Sequence, residues 1–312
     1  MPRVLIRALP LVLLVCLVAP HDAEADADKW RSRLGKNDAD DVYAAIVLAA
    51  ERKDPDACEP LIERAIDSKF PHMAVACGEA LSIIGWPGED KKQIRHVQKL
   101  LKKAMRTKEA DEQRNLARLL GAWGHPLVDE HMGKLTSSRR ETSVQAEGLM
   151  MAGYLQPTDD EPFPETLKSI AKALKSREHE VRAAACSAAG RWGDRSLIEP
   201  LVSLVRKDKE DYPGLYGVWA LKQLGYEGGV STFIHVLGST PKRATREACL
   251  KAVTELSTKT DVDDLLALSK HNKTDYRDAA ALALGRIAWR GGFGRAQVTG
   301  RRARPSAQAV PD

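Results

Sequence analysis

A helix-period apolar pattern that restarts every 30 to 37 residues runs through this chain, and few architectures accommodate it. From Asp38 onward apolar residues recur at i, i+3, i+4 and i+7, the spacing of one face of an α-helix. A small or turn-forming residue is read as closing one helix in each period: Ala50, Gly85, Gly121, Gly153, Gly190, Gly225, Leu256-Ser257 and Gly285. Most are trailed by an aromatic residue, such as Trp86, Trp123 or Trp192, and then by a helix breaker or starter. Pro55, Pro87, Pro126 and Pro157 serve as breakers, while Ser196 and Asp261 read as N-caps. Each period is therefore a first helix, a tight turn and a second helix. One such pair cannot bury its apolar stripe alone and must stack on the next. The expectation is an all-α solenoid of about seven to eight helix-pair repeats, one continuous core built by stacking.

Composition agrees, since 43% of the chain is hydrophobic but only 5% aromatic, so alanine and leucine fill the core. The fifth repeat shows the design. Val181, Ala184, Ala185, Ala188 and Trp192 share one face of its first helix, the alanines permitting close helix approach. Leu197, Ile198, Leu201, Leu204 and Val205 form the matching stripe of its second helix, and Arg182 and Arg191 fall outside the stripe.

The segment Glu180-Val181-Arg182-Ala183-Ala184-Ala185-Cys186-Ser187-Ala188-Ala189-Gly190-Arg191-Trp192-Gly193-Asp194 resembles a HEAT-like repeat of the phycobilisome-lyase type, and Asp275 to Arg286 repeats the pattern. The resemblance covers 38–289 and implies a right-handed α-solenoid whose second helices line a concave, macromolecule-binding face. Relatives of this kind include enzymes. Deoxyhypusine hydroxylase places His-Glu pairs just after the position that Arg182 matches. Here those positions hold Ala183-Ala184, Asp278-Ala279 and Arg114-Asn115, and the single His-Glu pair, His179-Glu180, falls at a helix start. That activity is set aside. A lyase-like enzyme or enzyme accessory related to phycobilin lyases stays as the alternative reading.

The ends differ from the repeats. Arg3 and Arg7 precede a charge-free stretch from Ala8 to Pro20 and then Ala23-Glu24-Ala25, the pattern of a secretory signal peptide over 1–25. The apolar run is short for a bilayer span, which needs about 20 residues. The mature chain, beginning at Asp26, is expected in the periplasm or secreted. A linker over 26–37 leads into the repeats. Residues 290–312 hold five arginines against one acid, with no apolar periodicity, and read as a disordered basic tail. Beyond Cys16, the cysteines Cys58, Cys77, Cys186 and Cys249 are too scattered for a disulfide framework. Cys58 and Cys77 belong to neighbouring helices, which leaves their pairing open. The favoured reading is that all four are small buried hydrophobes.

No catalytic constellation emerges. Gly-x-Ser-x-Gly and phosphate-binding glycine loops are absent, and no cysteine has a histidine within a helical turn. His125 and His131, six apart, do not share a helical face, and Glu130 and His131 are expected to face solvent. The clusters Asp38-Ala39-Asp40-Asp41 and Asp261-Val262-Asp263-Asp264 lack the glycine and distal glutamate of a calcium loop and read as helix caps. No cofactor and no metal are expected. The acidic stretch 159–165 reads as an exposed insertion available for contact.

The second helix of the second repeat stands out. Lys91 to Lys108 holds eight basic residues and no acid. Ile94, Val97, Leu101 and Ala104 form its apolar stripe, and Lys92, Arg95, Lys99, Lys102, Lys103 and Arg106 crowd the opposite side. Such a strip attracts an anionic partner, and without interleaved aromatic residues it disfavours single-stranded nucleic acid, while export argues against nucleic acid of any kind. The sequence thus points to a non-enzymatic exported scaffold that binds a protein or an anionic envelope component. Self-association through the incomplete last repeat is a further expectation.

Overall fold

The computed structural model describes residues 29–296 apart from 68, 86, 88–89, 156, 158–162, 227–229 and 240–241, and of Lys29 and residues 291–296 only the backbone. The signal-peptide stretch 1–25, the acidic loop residues 158–162 and the segment 297–312 lie outside the described residues. Those described are helical with no strand among them. The chain divides into two compact units at Leu224 and Gly225.

The first unit contains α1 (Lys29–Leu34), α2 (Ala39–Arg52), α3 (Cys58–Ile66), α4 (Pro71–Ile84), α5 (Lys91–Ala104), α6 (Ala110–Trp123), α7 (Asp129–Leu135), α8 (Thr142–Ala152), α9 (Pro164–Ala173), α10 (His179–Trp192), α11 (Ile198–Lys207) and α12 (Asp211–Gln223). The first helices α2, α4, α6, α8, α10 and α12 pack each on the next. Of the second helices, α3 lies along α4 and α6, α7 along α6 and α8, α9 along α10 and α11 along α12, while α5, as long as α4 and α6, meets α3. This is an all-α solenoid. Stacking rests on missing side chains: a Cβ on Gly78 of α4 would lie 2.5 Å from the Leu119 carbonyl, and one on Gly121 of α6 would lie 2.7 Å from that of Met151.

Gly121 and Gly190 are not helix ends, as their spacing suggested, but the twelfth residues of α6 and α10. The chain turns instead at Gly124 and Gly193, whose φ of +67° and +83° suit a residue without a Cβ. The capping side chain ahead of α11 is likewise Asp194, which caps the 3-10 turn Arg195–Leu197 leading into α11 and accepts the Ser196 N–H at 2.7 Å, and not Ser196 itself. Asp38 caps α2 as expected, accepting from the N–H groups of Asp40 and Asp41.

Residues 29–34, read from sequence as linker, form helix α1, and Trp30 within it is 1% exposed. Its indole Nε1–H donates to Asp54 at 3.0 Å. Burying a ring of that size stabilises by about 3 kcal/mol, and Leu34, also buried, adds to it, enough to fold an otherwise charged stretch.

Another regularity concerns the fourth residue of the first helices. Gln113, Gln145 and Arg182 each reach back to carbonyls of the turn they follow: Gln113 to Thr107, Gln145 to Arg140, and Arg182 to Ser176 and Arg177. Arg182 also pairs through two nitrogens with Asp208, whose side chain is 4% exposed. Its place outside the apolar stripe is thus structural.

The second unit contains α13 (Ser231–Ser239), α14 (Arg243–Leu256), α15 (Val262–Leu268) and α16 (Thr274–Ala296). Asp261 is its polar pivot: 4% exposed, it accepts from the N–H groups of Val230 at 3.1 Å and Thr258 at 2.7 Å and from the Thr258 hydroxyl at 2.8 Å. Tyr276 is buried and donates to the Leu237 carbonyl at 2.7 Å. Arg277, fourth in α16, bonds the turn carbonyls of His271 and Asn272 as Arg182 does in α10. α16 runs past Trp289 to Ala296, so the tail expected from Arg290 begins as helix. No proline interrupts 290–296, and extending an existing helix is far easier than nucleating one.

Candidate anion-binding face

Helix α5 begins at Asp90, whose side chain accepts the Lys92 N–H at 2.8 Å. Past that cap the helix has no acid. Val97 and Leu101 are buried, while Ile94 and Ala104 are half-buried at the edge of the same stripe. This anchors α5 by a narrow apolar edge and leaves the rest to solvent. Lys92, Arg95, Lys99, Lys102, Lys103 and Arg106 are all exposed, as their positions opposite the stripe predict.

Four of the six form a line on the helix. Lys92, Arg95, Lys99 and Lys102 follow one another at steps of three, four and three residues, so each sits one turn above the last, and Arg106 continues from the turn just past Ala104. At about 1.5 Å rise per residue the helical part of the line is about 15 Å long, with a cation every 5 Å or so. Drift of a straight helix against this repeat is about 20° per seven residues, too little over this length to carry the charges off the face. Lys103 lies beside the line, 4.0 Å from Glu63 of α3. His96 meets Glu59 of α3 at 3.0 Å. These two acids mark the α3 border of the strip.

The α7 border is more neutral than its sequence suggests. The Glu130 carboxyl is held below the usual range, chiefly by its hydrogen bond to Lys134, with the Lys102 charge acting in the same direction. His131, expected at the surface, is 3% exposed. Neither of its ring nitrogens has a hydrogen-bond partner. Burial pulls its pKa down, against the opposing pull of the Leu127 carbonyl and Glu130, so the ring stays neutral near pH 7. The apolar period of α7 counts His131 with Met132 and Leu135, which are also buried.

At its C-terminal end the line opens into a cleft of about 310 Å³. Arg106 belongs to both. Lys108, Arg139 and Arg140 converge on the same cleft from the turns before α6 and α8. Arg140 is fixed there by donating to the Met105 carbonyl at 3.3 Å. One carboxylate, Glu141, joins the lining and accepts from the Ser143 hydroxyl at 2.8 Å. Sequence reading missed Arg139 and Arg140 because each lies far along the chain from α5. The repeat length was the available signal, since equivalent turns of successive pairs sit side by side.

The remaining groups with chemistry have structural tasks. His125 Nδ1 accepts the Leu127 N–H at 3.1 Å, and Asp129 accepts the N–H groups of Glu165 and Thr166 and the Thr166 hydroxyl. Cys58, Cys77, Cys186 and Cys249 are buried free thiols, so Cys58 and Cys77 are not paired. Burial pushes the thiols up, those of Cys58, Cys77 and Cys249 to about 12. Among the described residues no three His, Cys, Asp or Glu side chains are grouped to hold a metal ion. No helix among them is long and apolar enough to cross a membrane.

No family model matches the chain, and no curated protein matches it. Solved structures do. An engineered protein is 15% identical over 83% of this chain and 77% of its own, with a TM-score of 0.42. Human deoxyhypusine hydroxylase in complex with glycerol is 17% identical over 89% of this chain and 99% of its own, with a TM-score of 0.34.

Proposed function

We propose that this chain is a non-enzymatic interaction scaffold, exported from the cytosol, that holds an anionic partner along helix α5. The observation that carries the reading is the line of four exposed cations on one helix, continued by Arg106 in the turn after it, with acids at its α3 and α7 borders and Glu141 at its far end. Strips of this kind raise the local concentration of an anion and steer its approach. The signal-peptide pattern of 1–25 supports a setting outside the cytosol, and the likeness of 180–194 to phycobilisome-lyase-type HEAT repeats supports a surface made of second helices. The four thiols are buried and offer no ready thiolate, which weighs against a cysteine-assisted form of the lyase-like reading.

The test is binding of fluorescently labelled dextran sulfate at increasing salt. It compares the wild-type chain with a variant carrying Arg95→Glu, Lys99→Glu, Lys102→Glu and Arg106→Glu. These residues are exposed, so circular dichroism and melting should be unchanged. Salt-sensitive binding that the variant loses supports the scaffold. Equal binding by both proteins would place the working surface elsewhere.

A further inference from the structure

We infer that the partner is a linear acidic polysaccharide, its acid groups laid along α5 and one sugar unit seated in the cleft beyond Arg106. This rests on the reading of α5 as an anion-binding strip and adds the class of ligand.

Three candidate classes are separated by the surface itself. A helical protein partner would need apolar anchors, because exposed ion pairs contribute only about 0–1 kcal/mol each. The solvent face of α5 offers lysine, arginine, histidine and glutamine and no exposed apolar side chain. An extended acidic peptide repeats its same-face carboxylates every 6.6 Å or so, against about 5 Å on the line, and slips by about one charge over its length. A flexible polyanion suffers neither problem, since neutralising its charges releases counterions and needs no apolar contact.

The cleft distinguishes among polyanions. Its volume of about 310 Å³ is at the small end of ligand pockets and suits one ring-sized unit. Arg106, Lys108 and Arg139 supply charge for an acid group, guanidinium forks matching carboxylate or sulfate oxygens. Glu141 in the same lining repels any anion set against it, phosphate or carboxylate, but accepts from a hydroxyl. A sugar unit brings both what the cations need, an acid, and what Glu141 needs, hydroxyl donors. Single-stranded nucleic acid would instead call for aromatic platforms, and 91–108 contains no aromatic side chain of the Phe, Tyr or Trp type; a duplex, which needs none, is one arm of the test.

The experiment measures binding of oligogalacturonates of increasing length, polyphosphate of matched charge, and double-stranded DNA, at fixed salt, to the full chain. Affinity for oligogalacturonate should rise with length until the line and cleft are filled and then level off. Lys108→Ala with Arg139→Ala should weaken oligogalacturonate about tenfold and polyphosphate less. Glu141→Gln should weaken oligogalacturonate and strengthen polyphosphate, a change of sign that unfolding cannot produce. If polyphosphate or DNA binds as tightly as oligogalacturonate and Glu141→Gln leaves their ratio unchanged, the polysaccharide inference is overturned while the α5 strip stands. If no polyanion binds even at low salt, the strip reading itself fails.

Discussion

Gly121 and Gly285 are each the twelfth residue of a first helix, yet replacing them with alanine should shift stability in opposite directions. At Gly121 an added Cβ lies 2.7 Å from the Met151 carbonyl oxygen and 2.8 Å from Met151 Cβ, where ordinary contact begins at 3.4 Å. The shortfall of about 0.7 Å is met by α8 backbone, which cannot rotate aside as a side-chain tip can. Overpacking of this sort costs about 2–3 kcal/mol. Alanine returns about 1 kcal/mol through its helix propensity. Gly121→Ala should therefore destabilise by about 1–2 kcal/mol. At Gly285 nothing lies within 4 Å of the added atom, so only the propensity gain remains. Gly285→Ala should stabilise by about 0.5–1 kcal/mol. Urea denaturation read by circular dichroism gives the midpoints, and exchange protection of α6, α8 and α16 amides assigns each change to its own compact unit. A Gly121→Ala protein as stable as wild type would refute the close stacking of α6 on α8.

Three further outcomes follow from buried polar groups. Asp261→Ala should destabilise the second unit by about 2–4 kcal/mol, because the N–H groups of Val230 and Thr258 both lose their acceptor; exchange protection at Val230 reads it directly. The four thiols should resist a thiol reagent in the native chain and all react in urea. Their folded pKa values lie above the ordinary 9.0, so above pH 9 the unfolded chain releases protons that the native chain keeps. Stability should then fall with rising pH up to about 12, and Cys249→Ala should flatten that slope. His131 has the opposite sign: its folded pKa lies below 6.5, so stability is intact above pH 6.5 and declines as the unfolded chain takes up a proton. His131→Met should remove this acid sensitivity; melting at pH 5 and 7 is the check.

The architecture was legible because burial of one helix face needs only the apolar period, and that period survives in nearly every repeat. The strip on α5 was legible for the same reason, its cations being whatever the stripe of Val97 and Leu101 left outside. Glycine misled, since one letter serves two purposes. Gly121 and Gly190 make room for a neighbouring helix, while Gly124 and Gly193, three residues on, turn the chain. His131 misled because polarity alone assigned it to solvent, although its helical phase is that of the core. The cleft was illegible because Arg106 and Arg139 line it from turns of successive pairs, and the repeat period places those turns side by side without saying which of their side chains share a cleft.

Asp129 and Asp261 have a consequence for how such a chain can change length. Asp129 starts α7, but the N–H groups it holds belong to Glu165 and Thr166, one pair later. Asp261 holds Val230, 31 residues earlier. A duplication cut at the first helix of a pair would copy an acceptor away from its donors, or donors away from their acceptor. Such repeats are modular in outline and dovetailed at their seams, so an inserted or excised pair must carry its neighbour's carboxylate with it.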